Sequence, residues 1–131
     1  MNLLAGVKPP PGWRWPLLAA LWLPAPMAFA HAALVSSEPG RRAVLTTPPA
    51  QIRLCFNENI EAKFSQVTLS PTGEDGNIAL GSVALDPASA NCLNVPIEAP
   101  LTNGSYTIRY RVLSVDGHVV DYGYGFRLNA P

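Results

Sequence analysis

The 131 residues carry nine Lys/Arg and nine Asp/Glu, with 14 prolines and 10 glycines. Setting aside the first 30, for the reason given next, leaves 101 residues, enough for one domain and hardly two. These hold seven Arg/Lys against nine Asp/Glu, a formal net charge of −2 with no basic cluster in the sequence, which excludes the electrostatic footprint of a nucleic-acid-binding protein.

Residues 1–30 read as an export signal. Lys8 and Arg14 are the charged side chains of its first part, and an apolar stretch runs from Leu17 to Leu23 and on, more weakly, to Phe29. A bilayer span needs about 20 apolar residues. This stretch is too short and too proline-rich for one. Ala28-Phe29-Ala30 has the small-x-small pattern of a signal-peptidase site. Cleavage there makes His31 the first residue of a domain covering 31–131; the alternative is an N-terminus left in place, disordered or membrane-tethered, with His31 internal. All three tryptophans and both methionines fall before the cut.

From His31 onward no 3.6-residue apolar period is convincing, and short apolar runs alternate with turn residues. Ala32–Val35 is a short apolar run closed by Ser36-Ser37-Glu38-Pro39-Gly40, and Ala43–Leu45 precedes Thr46-Thr47-Pro48-Pro49. Gln51–Asn57 alternates cleanly, with Ile52, Leu54 and Phe56 facing a core and Arg53, Cys55 and Asn57 facing away. Glu58–Phe64 is a loose helical turn or a loop. Gln66–Ser70 is a strand, residues 71–76 a polar turn, Ile78–Leu85 one or two weak strands, residues 86–90 a loop, and Cys92–Val95 a further strand. The strongest strands come last: Ser105–Leu113, and Val119–Leu128 with Tyr122, Tyr124, Phe126 and Leu128 at every second position. Gly123 and Gly125 intervene in the latter and predict a bulge or a close backbone approach. Several short strands with regular turns in about 100 residues argue for an antiparallel β-sandwich.

The candidate site joins the two histidines. An N-terminal His31 offers an α-amine and an imidazole nitrogen that together close a chelate ring on a metal ion. Ser114-Val115-Asp116-Gly117-His118 lies at the tip between the last two strands and supplies a carboxylate and a second imidazole two residues apart. Asp-Gly alone reads as a hairpin turn with His118 as an ordinary polar residue. A terminal His31 gives both histidines one explanation. Nitrogen and oxygen donors in a tetragonal set suit Cu(II), with tetrahedral zinc the main competitor. No methionine follows residue 30, which excludes a methionine-type Cu(I) site. An α-amine ordinarily titrates at about 7.7–8.0 and an imidazole at about 6.5, and both bind metal only when deprotonated, so copper should leave as the pH drops well below neutral.

Cys55 and Cys92 are the only cysteines, and after export a disulfide is the default. The alternation puts both on polar strand faces, which predicts a cross-strand staple outside the core. The rival is a thiolate pair for Cu(I), for which no further soft ligand is present. Glu58 and Asp121 read first as solvated loop carboxylates, with Glu58 also a candidate axial ligand or an orienting partner for an imidazole.

The residues from His31 to near the C-terminus resemble the CopC copper-resistance proteins of the bacterial periplasm. The likeness is carried by His31 after the cut, Leu34-Val35-Ser36-Ser37-Glu38-Pro39, Ile52-Arg53-Leu54-Cys55-Phe56-Asn57-Glu58, Lys63-Phe64-Ser65, Gly104-Ser105-Tyr106, and Ser114–His118 ahead of Gly125-Phe126. The resemblance implies an all-β Greek-key β-sandwich with immunoglobulin-like topology. It also implies a Cu(II) site from the His31 amine and ring, His118 and Asp116, with Glu58 matching an acidic position near the metal in some members. The methionine-rich Cu(I) loop of some members has no counterpart in residues 70–85. Cys55 and Cys92 are not part of the family pattern.

The function expected is a non-enzymatic, monomeric Cu(II) carrier or buffer of the periplasm, handing copper to an inner-membrane importer. One alternative is a plain adhesion or accessory sandwich whose histidines do nothing; the other is a histidine-brace oxidative enzyme similar to lytic polysaccharide monooxygenases. Those need an open coordination position and exposed aromatics on a substrate face, against which a Trp-free domain with a carboxylate at the metal argues. Ser114, Asp116 and His118 crowd within five residues and lack the separated nucleophile and base of a hydrolase triad.

Overall fold

A computed structural model describes residues 32–131, together with Gly6, Pro11, Gly12, Leu23 and Pro24. The expected signal peptide, apart from those five positions, and His31 lie outside the described residues.

Among the described residues, eight strands form two four-stranded sheets. The first has the order β1 (Leu34–Glu38), β3 (Gln51–Phe56), β6 (Ser89–Pro96), β5 (Ala84–Asp86), antiparallel throughout. The second has the order β2 (Val44–Leu45), β8 (Val119–Leu128), β7 (Gly104–Leu113), β4 (Gln66–Pro71). There β2 runs parallel to β8, and the other pairs are antiparallel. The chain changes sheet from β1 to β2, β2 to β3, β3 to β4, β4 to β5 and β6 to β7, which gives the Greek-key sandwich.

Period-two alternation builds the core. Ile52, Leu54 and Phe56 of β3 and Leu93 and Val95 of β6 face Tyr106, Ile108, Tyr110 and Val112 of β7 and Tyr124, Phe126 and Leu128 of β8. Each such side chain, fully buried, stabilises by roughly 1.5–3 kcal/mol. Phe56 meets Tyr110 edge-on with ring centres 5.7 Å apart, and Tyr106 stacks on Phe126 at 5.4 Å. The buried phenols find backbone partners. Tyr106 donates to the carbonyl of Thr102, four residues upstream, the tyrosine corner of immunoglobulin-like sandwiches. Tyr124 donates to the Pro39 carbonyl at 2.7 Å, tying β8 to the β1–β2 connection.

The expected strands are present with three differences. β1 begins later and extends to Glu38, because Ser36 and Ser37 pair with Cys55 and Leu54 instead of turning. The stretch from Ile78 to Leu85 contributes only the start of β5 and a single bridge from Leu80 to Ile97. β6 absorbs the expected loop by starting at Ser89, after a tight turn in which Ala88 N–H donates to Asp86 Oδ1 at 2.8 Å. Of the two readings of the β8 glycines, the close approach holds and the bulge does not. β7 and β8 pair without a break from Gly104↔Leu128 to Leu113↔Val119, and a Cβ at Gly123 would lie 3.0 Å from the Ile108 carbonyl oxygen.

Cys55 and Cys92 face each other in register and form a disulfide. It lies outside the main hydrophobic cluster, as expected, yet both residues are buried and not solvent-facing.

Candidate metal centre

Two segments distant in sequence meet at one end of the sandwich. β3 stops at Phe56, and Asn57 then exchanges two hydrogen bonds with Ala33: its N–H donates to the Ala33 carbonyl at 3.0 Å, and its side-chain Oδ1 accepts from Ala33 N–H at 2.8 Å. Glu58 comes next. The chain then crosses to the β7–β8 tip, where the Asn59 carbonyl accepts from Val115 N–H at 3.0 Å and Ile60 bridges to Ser114.

Ser114 organises that tip. It is 1% exposed. Its N–H donates to the His118 carbonyl at 2.9 Å, its carbonyl accepts from Gly117 N–H at 2.9 Å, and its hydroxyl accepts from His118 N–H at 3.1 Å. The loop closes on Gly117 at φ 87°, a left-handed conformation that glycine adopts without a Cβ clash. The Asp-Gly pair is therefore a hairpin turn in its backbone. This does not compete with a site, because the same turn sets His118 on its outgoing strand edge.

His118 Nδ1 lies 3.2 Å from Glu58 Oε2. The imidazole is 44% exposed while the carboxylate is 12% exposed, so Glu58 is not the solvated loop carboxylate of the simpler reading. When Nδ1 carries the hydrogen, Glu58 accepts it and the Nε2 lone pair is left to face outward, the arrangement in which a carboxylate orients a metal-binding imidazole.

The other candidates fall differently. Asp116 is exposed at the loop tip, and the described residues contain no group of three His, Cys, Asp or Glu side chains able to hold a metal. Glu58 and His118 are thus together, Asp116 is beside them in the loop, and His31 is outside the described residues. Asp121 turns to the outer face of the second sheet and pairs with Arg111 at 3.5 Å. Sequence reasoning passed over Asn57 and Ser114 as structural parts of this end. The sign available for Asn57 was a polar residue directly after a strand and before the candidate acid.

The CopC domain family model matches residues 34–129, nearly the whole described sandwich. The chain belongs to the CopC family. Protein YobA of Escherichia coli K12 is 34% identical over 102 residues, covering 77% of this chain and 81% of that protein. Copper resistance protein C of Pseudomonas syringae pv. tomato is 30% identical over 116 residues, covering 86% and 91%. The crystal structure of PcoC, a methionine-rich copper resistance protein from Escherichia coli, superposes with a TM-score of 0.68 at 31% identity, covering 76% of this chain and all of that one. As a CopC protein the chain is a member of a family of copper-resistance proteins, and copper is the metal against which its site is to be judged. Unlike the methionine-rich relative, it has no methionine after Met27.

Proposed function

We propose that this CopC protein is a periplasmic Cu(II) carrier or buffer that holds the cupric ion through the His31 amine and ring, the His118 ring and the Asp116 carboxylate. Glu58 orients His118 from behind. The observation that carries the reading is the 3.2 Å contact of Glu58 with His118, beside the paired hydrogen bonds of Asn57 with Ala33. Ala33 follows His31 by two positions, a reach of at most about 7 Å of extended chain.

The donor chemistry fits the ion. Imidazole and amine nitrogens with a carboxylate oxygen suit Cu(II), and thioethers that would favour Cu(I) are missing after residue 30. The cysteines are joined to each other and take no part. In this reading the protein binds and releases copper without reacting it, lowering free copper and passing the ion to an inner-membrane importer.

The test is calorimetric titration with Cu(II) of protein beginning at His31 and of protein carrying one extra N-terminal residue. Strong binding by the first and a large loss in the second is expected; equal binding overturns the site. Peroxide-driven oxidation of a reporter substrate by the copper-loaded protein checks the carrier role, and sustained turnover would replace it with the histidine-brace enzyme.

A further inference from the structure

The basic residues are scattered in the sequence, but the fold gathers four of the seven after residue 30 on one surface. β7 buries Tyr106, Ile108, Tyr110 and Val112, so Arg109 and Arg111 stand on the outer face of the second sheet. Arg127, the register partner of Ser105, stands on the same face of β8. Arg42 flanks it at a cleft of about 290 Å³ floored by Gly125 and edged by Ser105 and Thr72.

Asp121 is the single acid on these strands, and it is paired with Arg111. Arg42, Arg109 and Arg127 enter no ion pair among the described residues. Glu74 and Asp75 follow in the loop after β4. The glycines keep the middle of the face low. The Arg109 stem lies across Gly123, its Cγ 3.2 Å from where a Cβ would stand, and a Cβ at Gly125 would meet only the Tyr106 carbonyl oxygen within 4 Å. The first sheet differs: its Arg53 is held by Asp86 at 3.3 Å and neighbours Glu38 in register.

A net-acidic domain is repelled by an anionic partner as a whole, so three unpaired guanidiniums on one sheet face make its field directional. From Arg111 to the level of Arg127 is six residues of strand, about 20 Å. That spread matches a surface bearing many phosphates and not one small anion. We propose that the outer face of the second sheet docks on an anionic phospholipid surface, its arginines taking lipid phosphates. So placed, β7 and β8 lie along the membrane and the tip with Glu58 and His118 is held at its surface. The docking itself requires no copper.

The test is co-sedimentation of the full chain with phosphatidylcholine vesicles and with vesicles also containing phosphatidylglycerol. Lys8 and Arg14 of the N-terminal segment add the same attraction to anionic vesicles in every variant, so the change between variants reads the face. Binding should be stronger to the anionic vesicles and should weaken with added salt. Arg109→Gln and Arg127→Gln should each lower the difference about fivefold, and Arg53→Gln, the same charge change on the opposite sheet, should leave it intact. Equal binding to both vesicles, equal loss from Arg53→Gln, or displacement by inorganic phosphate at constant ionic strength would each overturn the proposal.

Discussion

Glu58 and His118 are 60 residues apart in the chain and 3.2 Å apart in space, and the carboxylate is the more buried of the two. The contact joins the end of β3 to the β7–β8 tip. Glu58→Gln keeps the size of the side chain but removes the charge that favours a hydrogen on Nδ1. Cu(II) affinity measured by chelator competition should fall about 10–100-fold, whereas His118→Ala should remove most binding. An unchanged affinity in Glu58→Gln would make the contact structural only.

Ser114→Ala deletes the hydroxyl that accepts from His118 N–H inside a fully buried residue. Loss of this hydrogen bond should cost about 0.5–1.5 kcal/mol in urea unfolding. Because the loop that bears Asp116 and His118 is braced there, copper affinity should fall as well.

Reducing the Cys55–Cys92 bridge, or replacing both residues by Ser, removes a cross-link over a separation of 37 residues. From loop-closure entropy the loss is roughly 3–4 kcal/mol, read as a lower denaturant midpoint. Copper affinity of the folded fraction should persist, since neither sulfur is a ligand in this reading.

Gly123→Ala places a methyl 3.0 Å from the Ile108 carbonyl oxygen and 3.2 Å from Arg109 Cγ, while Gly125→Ala meets only the Tyr106 carbonyl oxygen at 3.4 Å. The first should destabilise by about 1–3 kcal/mol, as overpacking does, and the second by clearly less. Thermal unfolding of the pair measures the contrast.

Burial pushes the phenols of Tyr110 and Tyr124 up from the ordinary tyrosine pKa of 10.0. The unfolded chain then loses these protons at lower pH than the folded one. The stability they contribute is complete below the unfolded value and declines as the pH rises past it toward the folded values. In an alkaline titration the share of phenolate absorbance that comes from Tyr110 and Tyr124 should therefore appear together with loss of β-sheet circular dichroism.

Strands whose apolar residues alternate are legible in the sequence, because β3, β7 and β8 each bury one face and leave the other polar. The stretch from Ile78 to Leu85 misleads because apolar composition without a partner strand does not make a ladder, and Leu80 finds only one bridge. The burial of the disulfide is not readable either: alternation assigns a sheet face, not what covers it. At the end of the sandwich that carries the candidate site, Glu58 can be named as a candidate, but its pairing with His118 arises from a crossover between sheets that no local spacing encodes. The collection of Arg42, Arg109, Arg111 and Arg127 on one surface has the same origin, since strand order and not sequence order decides which guanidiniums become neighbours.

The distance along the chain between Glu58 and His118 also sets a timetable. A polypeptide made from its N-terminus holds the acid early but gains its imidazole partner only when residue 118 of 131 has been synthesised. A chain not yet extended past residue 118 therefore cannot close this contact, and this end of the sandwich waits on the β7–β8 tip.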